Sequence, residues 1–191
     1  MSETLRLFIA IEVPANLKAA FRQYQPAFTH AAVRFLPDEN LHLTVHFMGE
    51  VPTGQLTEIE QRLKEVAATQ MPFNLTLHCL EPGPKPKSPR LIWARFGPEP
   101  AFARLGAAVF RQLGIRPPDH ADSIPHVTLA RFRKDMPRPI SLSVIYPPEP
   151  PLTMPVTTVA LWQSELKSPH PVYRVLAEFP LSPAEKLNPP E

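Results

Sequence analysis

The chain has 191 residues, 43% of them hydrophobic and 20% charged, with a net charge of +2, a globular balance that excludes a disordered chain and a coiled coil. A chain of this length buries about 70% of its unfolded surface and needs no metal or disulfide staple to fold. So small a net charge also argues against a general polyanion binder of the histone type.

Arginine supplies 13 of the 20 basic residues; bidentate phosphate recognition favours arginine, but GC-rich coding gives the same excess and carries more weight. The 27 prolines cluster at 82–89, 117–125, 137–155 and 180–190, where they punctuate loops. The single cysteine, Cys79, rules out an internal disulfide and a thiolate metal cluster, fits a reducing compartment, and reads as a small apolar strand residue. The first apolar run, Leu7 to Ile11, is short, is broken by Glu12 and has no small-residue cleavage site, so neither a secretion signal nor a membrane span is predicted. A cytoplasmic monomer with no obligate protein partner and no membrane association is expected.

In chain order, Leu5 to Val13 has the length and apolarity of a buried strand and ends at Pro14. Leu17, Phe21, Tyr24 and Phe28 recur at helical spacing from Ala15 to about Phe28, and Val33 to Leu36 is a short extended piece before Pro37. Leu41 to Met48 alternates strictly. Thr53 is the expected N-cap of an amphipathic helix carried by Leu56, Ile59, Leu63 and Val66. Phe73 to Leu80 and Leu91 to Phe96 read as antiparallel strands joined by the loop Glu81 to Pro89, which carries Lys85 and Lys87. Phe102, Leu105, Val109 and Leu113 mark a further helix closed by Gly114. Strands are then predicted at His126 to Phe132, Ile140 to Ile145, Val156 to Ser164 and Val172 to Pro180, followed by a frayed tail. Strands outnumber helices more than two to one and no Gly-rich strand-to-helix turn is present, so the fold class is α+β with antiparallel sheets rather than doubly wound.

Two strands carry one pattern: Leu41-His42-Leu43-Thr44-Val45 and Pro125-His126-Val127-Thr128-Leu129. Strand alternation puts His42 and Thr44 on one face and the aliphatic residues on the other, and it does the same for His126 and Thr128. Each strand so presents an imidazole and a hydroxyl about 7 Å apart, suited to one small shared anion. One neutral imidazole can take a proton from a nucleophile while the other, protonated, gives one to a leaving oxygen; both states coexist near pH 6.5. The Thr hydroxyls can donate to non-bridging phosphate oxygens. Phosphodiester cleavage on this set needs no metal, and no cofactor is expected. A single such tetrapeptide would read as a half-buried strand histidine with a hydrogen-bond partner; two matched copies favour function.

His46 shares the predicted polar face with His42 and is a candidate pocket residue or a solvated strand histidine. The four-residue step from His42 to His46 covers about 13 Å on a strand, too far for one ion. His30, His78, His120 and His170 have no evident partners. Strict alternation turns Arg131 toward the core; either the strand ends or bulges at Ala130 and re-aims its guanidinium toward phosphate, or Arg131 makes a structural ion pair. Phe132, Trp93, Trp162 and Tyr173 could stack a base, although packing is the commoner role for each.

These residues resemble the two-histidine phosphoesterases, within them the RNA 2′,3′-cyclic phosphodiesterase or 2′-5′ RNA ligase family. The resemblance rests on both His-x-Thr strands together with Arg6-Leu7-Phe8-Ile9-Ala10-Ile11, Glu39-Asn40 leading into Leu41, Phe47-Met48-Gly49-Glu50, Pro89-Arg90-Leu91-Ile92-Trp93, Ala130-Arg131 and the ending Tyr173 to Leu181. It implies one two-lobed, pseudo-twofold domain over 1–191, with a core of about 5–181 and a flexible C-terminal tail of about 182–191. Antiparallel sheets would line a central cleft, with helices packed outside. It also implies metal-independent opening of an RNA terminal 2′,3′-cyclic phosphate to a 2′-phosphate, with reversible 2′-5′ ligation in some members. By this analogy His42 is the proton donor and His126 the proton acceptor, Thr44 and Thr128 assist, and Arg131, His46, Phe132 and Tyr173 contact substrate. Many relatives carry arginine at the position of His46, which leaves a phosphate contact there weaker or pH-dependent. RNA ends or cyclic nucleotides are the expected partners. Two alternatives keep part of this chemistry: turnover of an ADP-ribose cyclic phosphate, and an RNA-end-binding module without turnover.

Overall fold

The computed structural model describes residues 3–85, 88–116, 124–136 and 142–182. Its strands are β1 (Thr4–Glu12), β2 (Val33–Phe35), β3 (His42–Pro52), β4 (Phe73–Gly83), β5 (Leu91–Phe96), β6 (His126–Phe132), β7 (Thr153–Val156), β8 (Thr158–Glu165) and β9 (Val172–Pro180). The helices are α1 (Ala15–Tyr24), α2 (Leu56–Ala67) and α3 (Pro100–Leu113). The strands form one antiparallel sheet in the order β7-β4-β5-β6-β3-β1-β8-β9, with β2 paired to β6, so the expected α+β class with antiparallel sheets holds.

The order places the two histidine strands side by side at the centre, each closing a four-stranded half. The seam is thin: β3 meets β6 at Leu43↔Val127, after which β2 takes over the same side of β6 at residues 130–132. One face of the sheet buries the aliphatic half of the alternation. Leu7, Ile9, Leu43, Val45, Ile92 and Val127 pack there with Leu17 and Phe21 of α1, Leu63 of α2 and Leu105 and Val109 of α3 in the main core, each large side chain contributing roughly 1.5–3 kcal/mol. The opposite face carries a smaller cluster of Phe8, Ala10, Ala160 and Trp162, with Tyr173 against it. Helices therefore cover one face, and the histidine face is left open as a cleft.

α3 is capped at both ends: the Glu99 carboxylate accepts from the Ala101 amide at 3.0 Å, and Gly114 at φ +66° ends the helix in the left-handed conformation that glycine tolerates. Thr53 does not cap the second helix. It opens a 3-10 turn, Thr53–Gln55, that runs into α2 with no side-chain cap bond. The strand predicted at 156–164 is two strands broken at Thr157, because the chain there leaves β4, which β7 pairs, and crosses to β1, which β8 pairs. Of the strand predicted at 140–145, residues 140 and 141 lie outside the described residues, and Ile145 makes an isolated bridge with Leu80. The tail expected at 182–191 lies, from 183 on, outside the described residues, as do Lys87 and His120. Among the described residues no helix is long and apolar enough to cross a membrane.

Candidate active site

Leu43↔Val127 is the pairing that builds the site. Continuing its antiparallel register by one residue either way sets His42 opposite Thr128 and Thr44 opposite His126, all four on the open face, so each imidazole has the other strand's hydroxyl as its neighbour.

The two histidines are held alike. His42 Nδ1 lies 2.8 Å from the Asn40 carbonyl, and His126 Nδ1 lies 2.8 Å from the Ile124 carbonyl. A carbonyl only accepts, so both Nδ1 atoms carry the proton and both Nε2 atoms are left to face the cleft. Asn40 is itself 3% exposed, and its amide donates to the Pro171 carbonyl at 2.8 Å, tying the loop before β9 to the base of His42.

Aromatic rings fix the imidazoles from the sides. Ring centroids of Phe8, Tyr173 and Trp162 lie 4.8, 5.2 and 5.8 Å from that of His42, and Trp93 lies 4.6 Å from His126. Trp93 and Trp162 are thus packed, as expected, and what they pack is the candidate catalytic pair. Trp93 reaches its position because Gly83 has no side chain: a Cβ there would come within 2.5 Å of the indole.

Two β-bulges then depart from strict alternation. On β6 the register shifts between Ile92↔Ala130 and Trp93↔Thr128, which leaves Leu129 unpaired with β5 and turns Arg131 to the open face, where its charge acts on His42 and Tyr173. The conflict over Arg131 is resolved in favour of the cleft, with the extra residue at Leu129 rather than Ala130. The same bulge sends Phe132 into the main core, where it is 8% exposed, and its remaining surface lies on the wall of the pocket beside Arg131.

On β3 the shift falls between Ile9↔His46 and Ala10↔Thr44, so Val45 is the extra residue and His46 joins the helix side. Its ring meets Phe110 of α3 edge-on at 5.0 Å. His46 is therefore corrected from pocket residue to packing residue. Phe47 takes the place that alternation gave to His46: it pairs with Phe8 on the open face, is 48% exposed, and has the Arg6 guanidinium 4.7 Å above its ring.

Residues 13–167 match the family model described as the 2′-5′ RNA ligase superfamily. The chain belongs to that superfamily. It is 31% identical over 179 residues to a protein of Archaeoglobus fulgidus and 33% identical over 188 residues to one of Thermus thermophilus, both named RNA 2′,3′-cyclic phosphodiesterase. These matches cover 92% and 93% of this chain and 99% and 90% of the relatives. Among solved structures it resembles TT0787 of Thermus thermophilus (TM-score 0.76, 31% identity, covering 93% of this chain and 98% of that one). It also resembles E. coli LigT in complex with phosphate (TM-score 0.75, 26% identity, 95% and 99% covered).

Within this superfamily member the electrostatics of the cleft are set by burial and by positive charge. Burial, then Arg131 and His126 nearby, bring His42 down from its ordinary 6.5 to about 4, against the raising effect of its bond to the Asn40 carbonyl. Burial also lowers His126, against its bond to Ile124, and raises the Tyr173 phenol, against Arg131 and Arg6. Both shifts favour the neutral imidazole at pH 7. On the far side of His126, its register partner Arg95 donates through Nε to Glu81 at 2.6 Å and through Nη2 to Cys79 Sγ at 3.4 Å. Cys79 is buried, as expected, yet it faces this ion pair and not the main core.

Sequence reasoning missed Phe8, Arg6, Phe47 and the Glu81–Arg95 pair as parts of this face. Alternation within β1 places Arg6 and Phe8 beside Ala10, opposite Leu7 and Ile9, a signal that was available; the position of Phe47 depends on the bulge and gives none.

Proposed function

We propose that this protein hydrolyses the 2′,3′-cyclic phosphate at the end of an RNA chain to a 2′-phosphate, using His42 and His126 as its proton-transfer pair. The observation that carries the reading is the mirrored hold on the two rings, each Nδ1–H given to the carbonyl two residues earlier, which leaves two Nε2 atoms for one phosphate. The names of the relatives give the substrate class.

In this reading the cyclic phosphate lies between the two strands, with Arg131 and the hydroxyls of Thr44 and Thr128 on its non-bridging oxygens. His126 Nε2 takes a proton from water as the water oxygen bonds to phosphorus. The bond from phosphorus to the 3′ oxygen breaks, and that oxygen receives the proton of His42 Nε2. The product is a 2′-phosphomonoester beside a free 3′-hydroxyl, and solvent exchange returns both rings to their starting states. Burial is the main cause of the low His42 value and Arg131 a lesser one; a bound phosphate offsets the Arg131 charge and sets an opposite charge beside the ring, so substrate binding favours its protonation. A 5′-hydroxyl in place of water gives a 2′-5′ linkage by the same two transfers. Tyr173 borders the His42 side of the pocket, and Phe47 offers the exposed aromatic surface for a base. Both histidines come from one chain, so the site needs no second copy.

The test is turnover of a short oligonucleotide ending in a 2′,3′-cyclic phosphate, with EDTA present. His42→Ala and His126→Ala should each lose about 10² to 10⁴ in rate, the usual weight of general acid–base catalysis, with unchanged far-UV circular dichroism. A folded variant that keeps wild-type turnover would remove its histidine from the chemistry, and a wild-type enzyme inactivated by EDTA would replace the metal-free mechanism.

A further inference from the structure

Beyond the reacting phosphate, the open face continues into a groove of about 300 Å³ between the β2–β6 edge and the loop at Pro169 to Pro171. Arg34, Arg131, Arg133, Lys134 and His170 line it, with Asp135 as the acidic group among its lining residues. We infer that this groove is a second binding site, for the phosphodiester backbone of a single-stranded RNA upstream of its cyclic end.

Four observations converge. Arg34 and Arg131 are direct cross-strand partners in the β2–β6 register, which sets two like charges side by side, an arrangement that costs stability unless an anion lies between them. Among the described residues none of Arg34, Arg131, Arg133 or Lys134 has a carboxylate partner; Arg6, Arg22, Arg62, Arg95 and Arg174 are ion-paired, and Arg90, Arg104 and Arg111 lack a carboxylate partner too but do not line the groove, which gathers four such cations in one place. Arg133 Nε is buried without a hydrogen-bond partner, a donor whose desolvation is uncompensated in the free protein. Finally, the groove is joined to the reaction centre at both walls. Arg131 is common to the two sites, and the loop opposite is pinned by Arg34 to the Pro169 carbonyl at 3.3 Å and by Asn40, whose own carbonyl holds His42, to the Pro171 carbonyl at 2.8 Å.

The spacing suits a polymer. Arg131 lies in β6 and Arg133 one residue beyond its end, and two residues of extended chain span at most about 7 Å, the scale of one step between neighbouring phosphates along a nucleic-acid strand. A mononucleotide cyclic phosphate has a single phosphate, which the histidine pair takes, and it leaves the groove's cations unmatched. The site rests on the cyclic-phosphate reading above for its polarity: the RNA end sits at the histidines, and the preceding phosphates run along the groove toward Lys134.

The test uses three substrates, a mononucleotide 2′,3′-cyclic phosphate, a trinucleotide with the same end, and an ADP-ribose cyclic phosphate, with wild type, Lys134→Gln, Arg34→Gln and the pair combined. Wild type should prefer the trinucleotide at least tenfold in kcat/KM at low salt. The variants should bring that preference toward parity and leave mononucleotide turnover unchanged. The slope of log kcat/KM against log salt on the trinucleotide should become shallower by about 0.7 for each phosphate that a variant no longer neutralises. Equal trinucleotide turnover in all variants, or a loss confined to the ADP-ribose substrate, would overturn the inference. Lys134 is a surface residue, so its variant keeps the test open if Arg34→Gln misfolds. Anisotropy of a labelled trinucleotide carrying a terminal 2′-phosphate, measured on the His42→Ala chain with and without the groove changes, reads the groove without turnover. Weaker binding in the groove variants supports the site even if the proposed hydrolysis fails, and unaltered binding refutes it even if hydrolysis succeeds.

Discussion

His42, the proton donor of the proposed mechanism, stands in a position that strips it of charge. Buried among Phe8, Trp162 and Tyr173 and facing Arg131, it is held at about 4, while His126 is also lowered by burial. The active form of the pair carries one proton, so activity falls where both rings lose it and where both gain it. Both limbs then lie below the ordinary 6.5, and kcat/KM, which reports the free enzyme, should trace a bell that peaks below pH 6.5 and declines as pH rises. The kcat profile, set by the complex with anionic phosphate, should be displaced to higher pH. A kcat/KM optimum at about pH 6.5 or above would show that burial does not hold the rings below their ordinary value. Arg131 acts on the same balance, and Arg131→Gln should raise KM for the cyclic phosphate while relieving one cause of the low His42 value.

The two bulges make the site, and they are where the pattern of residues and the pattern of faces part company. Alternation alone was enough to put His42, Thr44, His126 and Thr128 on one face, because Leu43 and Val127 lock those stretches into the core. It failed one bulge further on. Val45 and Leu129 are ordinary β-branched or aliphatic residues, and nothing in their chemistry announces an extra residue; the bulge is fixed by what the partner strands β1 and β5 present. His46 and Phe47 exchange faces as a result, and so do Arg131 and Phe132. Helices and strand positions were legible because periodicity is local, whereas the break at Thr157 reflects a change of partner strand. Gly83 offers a test at this scale. Gly83→Ala should push the Trp93 indole off its seat, costing roughly 1–3 kcal/mol in urea denaturation as an overpacked site does, and should lower kcat through His126 well beyond its effect on KM. A variant that loses stability with kcat intact would separate Trp93 from the positioning of His126.

Across the whole molecule one sheet has two different faces, a helix-covered face that buries the main core and an open face that carries the candidate site. The cost of the second is visible in the response to acid. Unfolded, His42 binds a proton near 6.5; folded, near 4. Between those values the unfolded chain holds more protons, so stability rises with pH across the window and is lost on acidification, by on the order of 3 kcal/mol for this group. His42→Ala should therefore show a shallower fall in Tm than wild type between about pH 6.5 and 4.5, and equal slopes would contradict the burial of this ring. Charge is organised on the same scale: a net +2 conceals the unpaired basic groove beside Arg131, which whole-chain composition does not reveal.

The division of proton work between the two histidines is the centre of the account, and a substrate with sulfur in place of the bridging 3′ oxygen tests it most directly, since a thiolate leaves without needing a proton. On this substrate His42→Ala is expected to recover most of the wild-type rate, and His126→Ala to stay impaired because water still has to be deprotonated. Recovery of neither variant, or of both to the same degree, would contradict the account; recovery of His126→Ala alone would exchange the two roles.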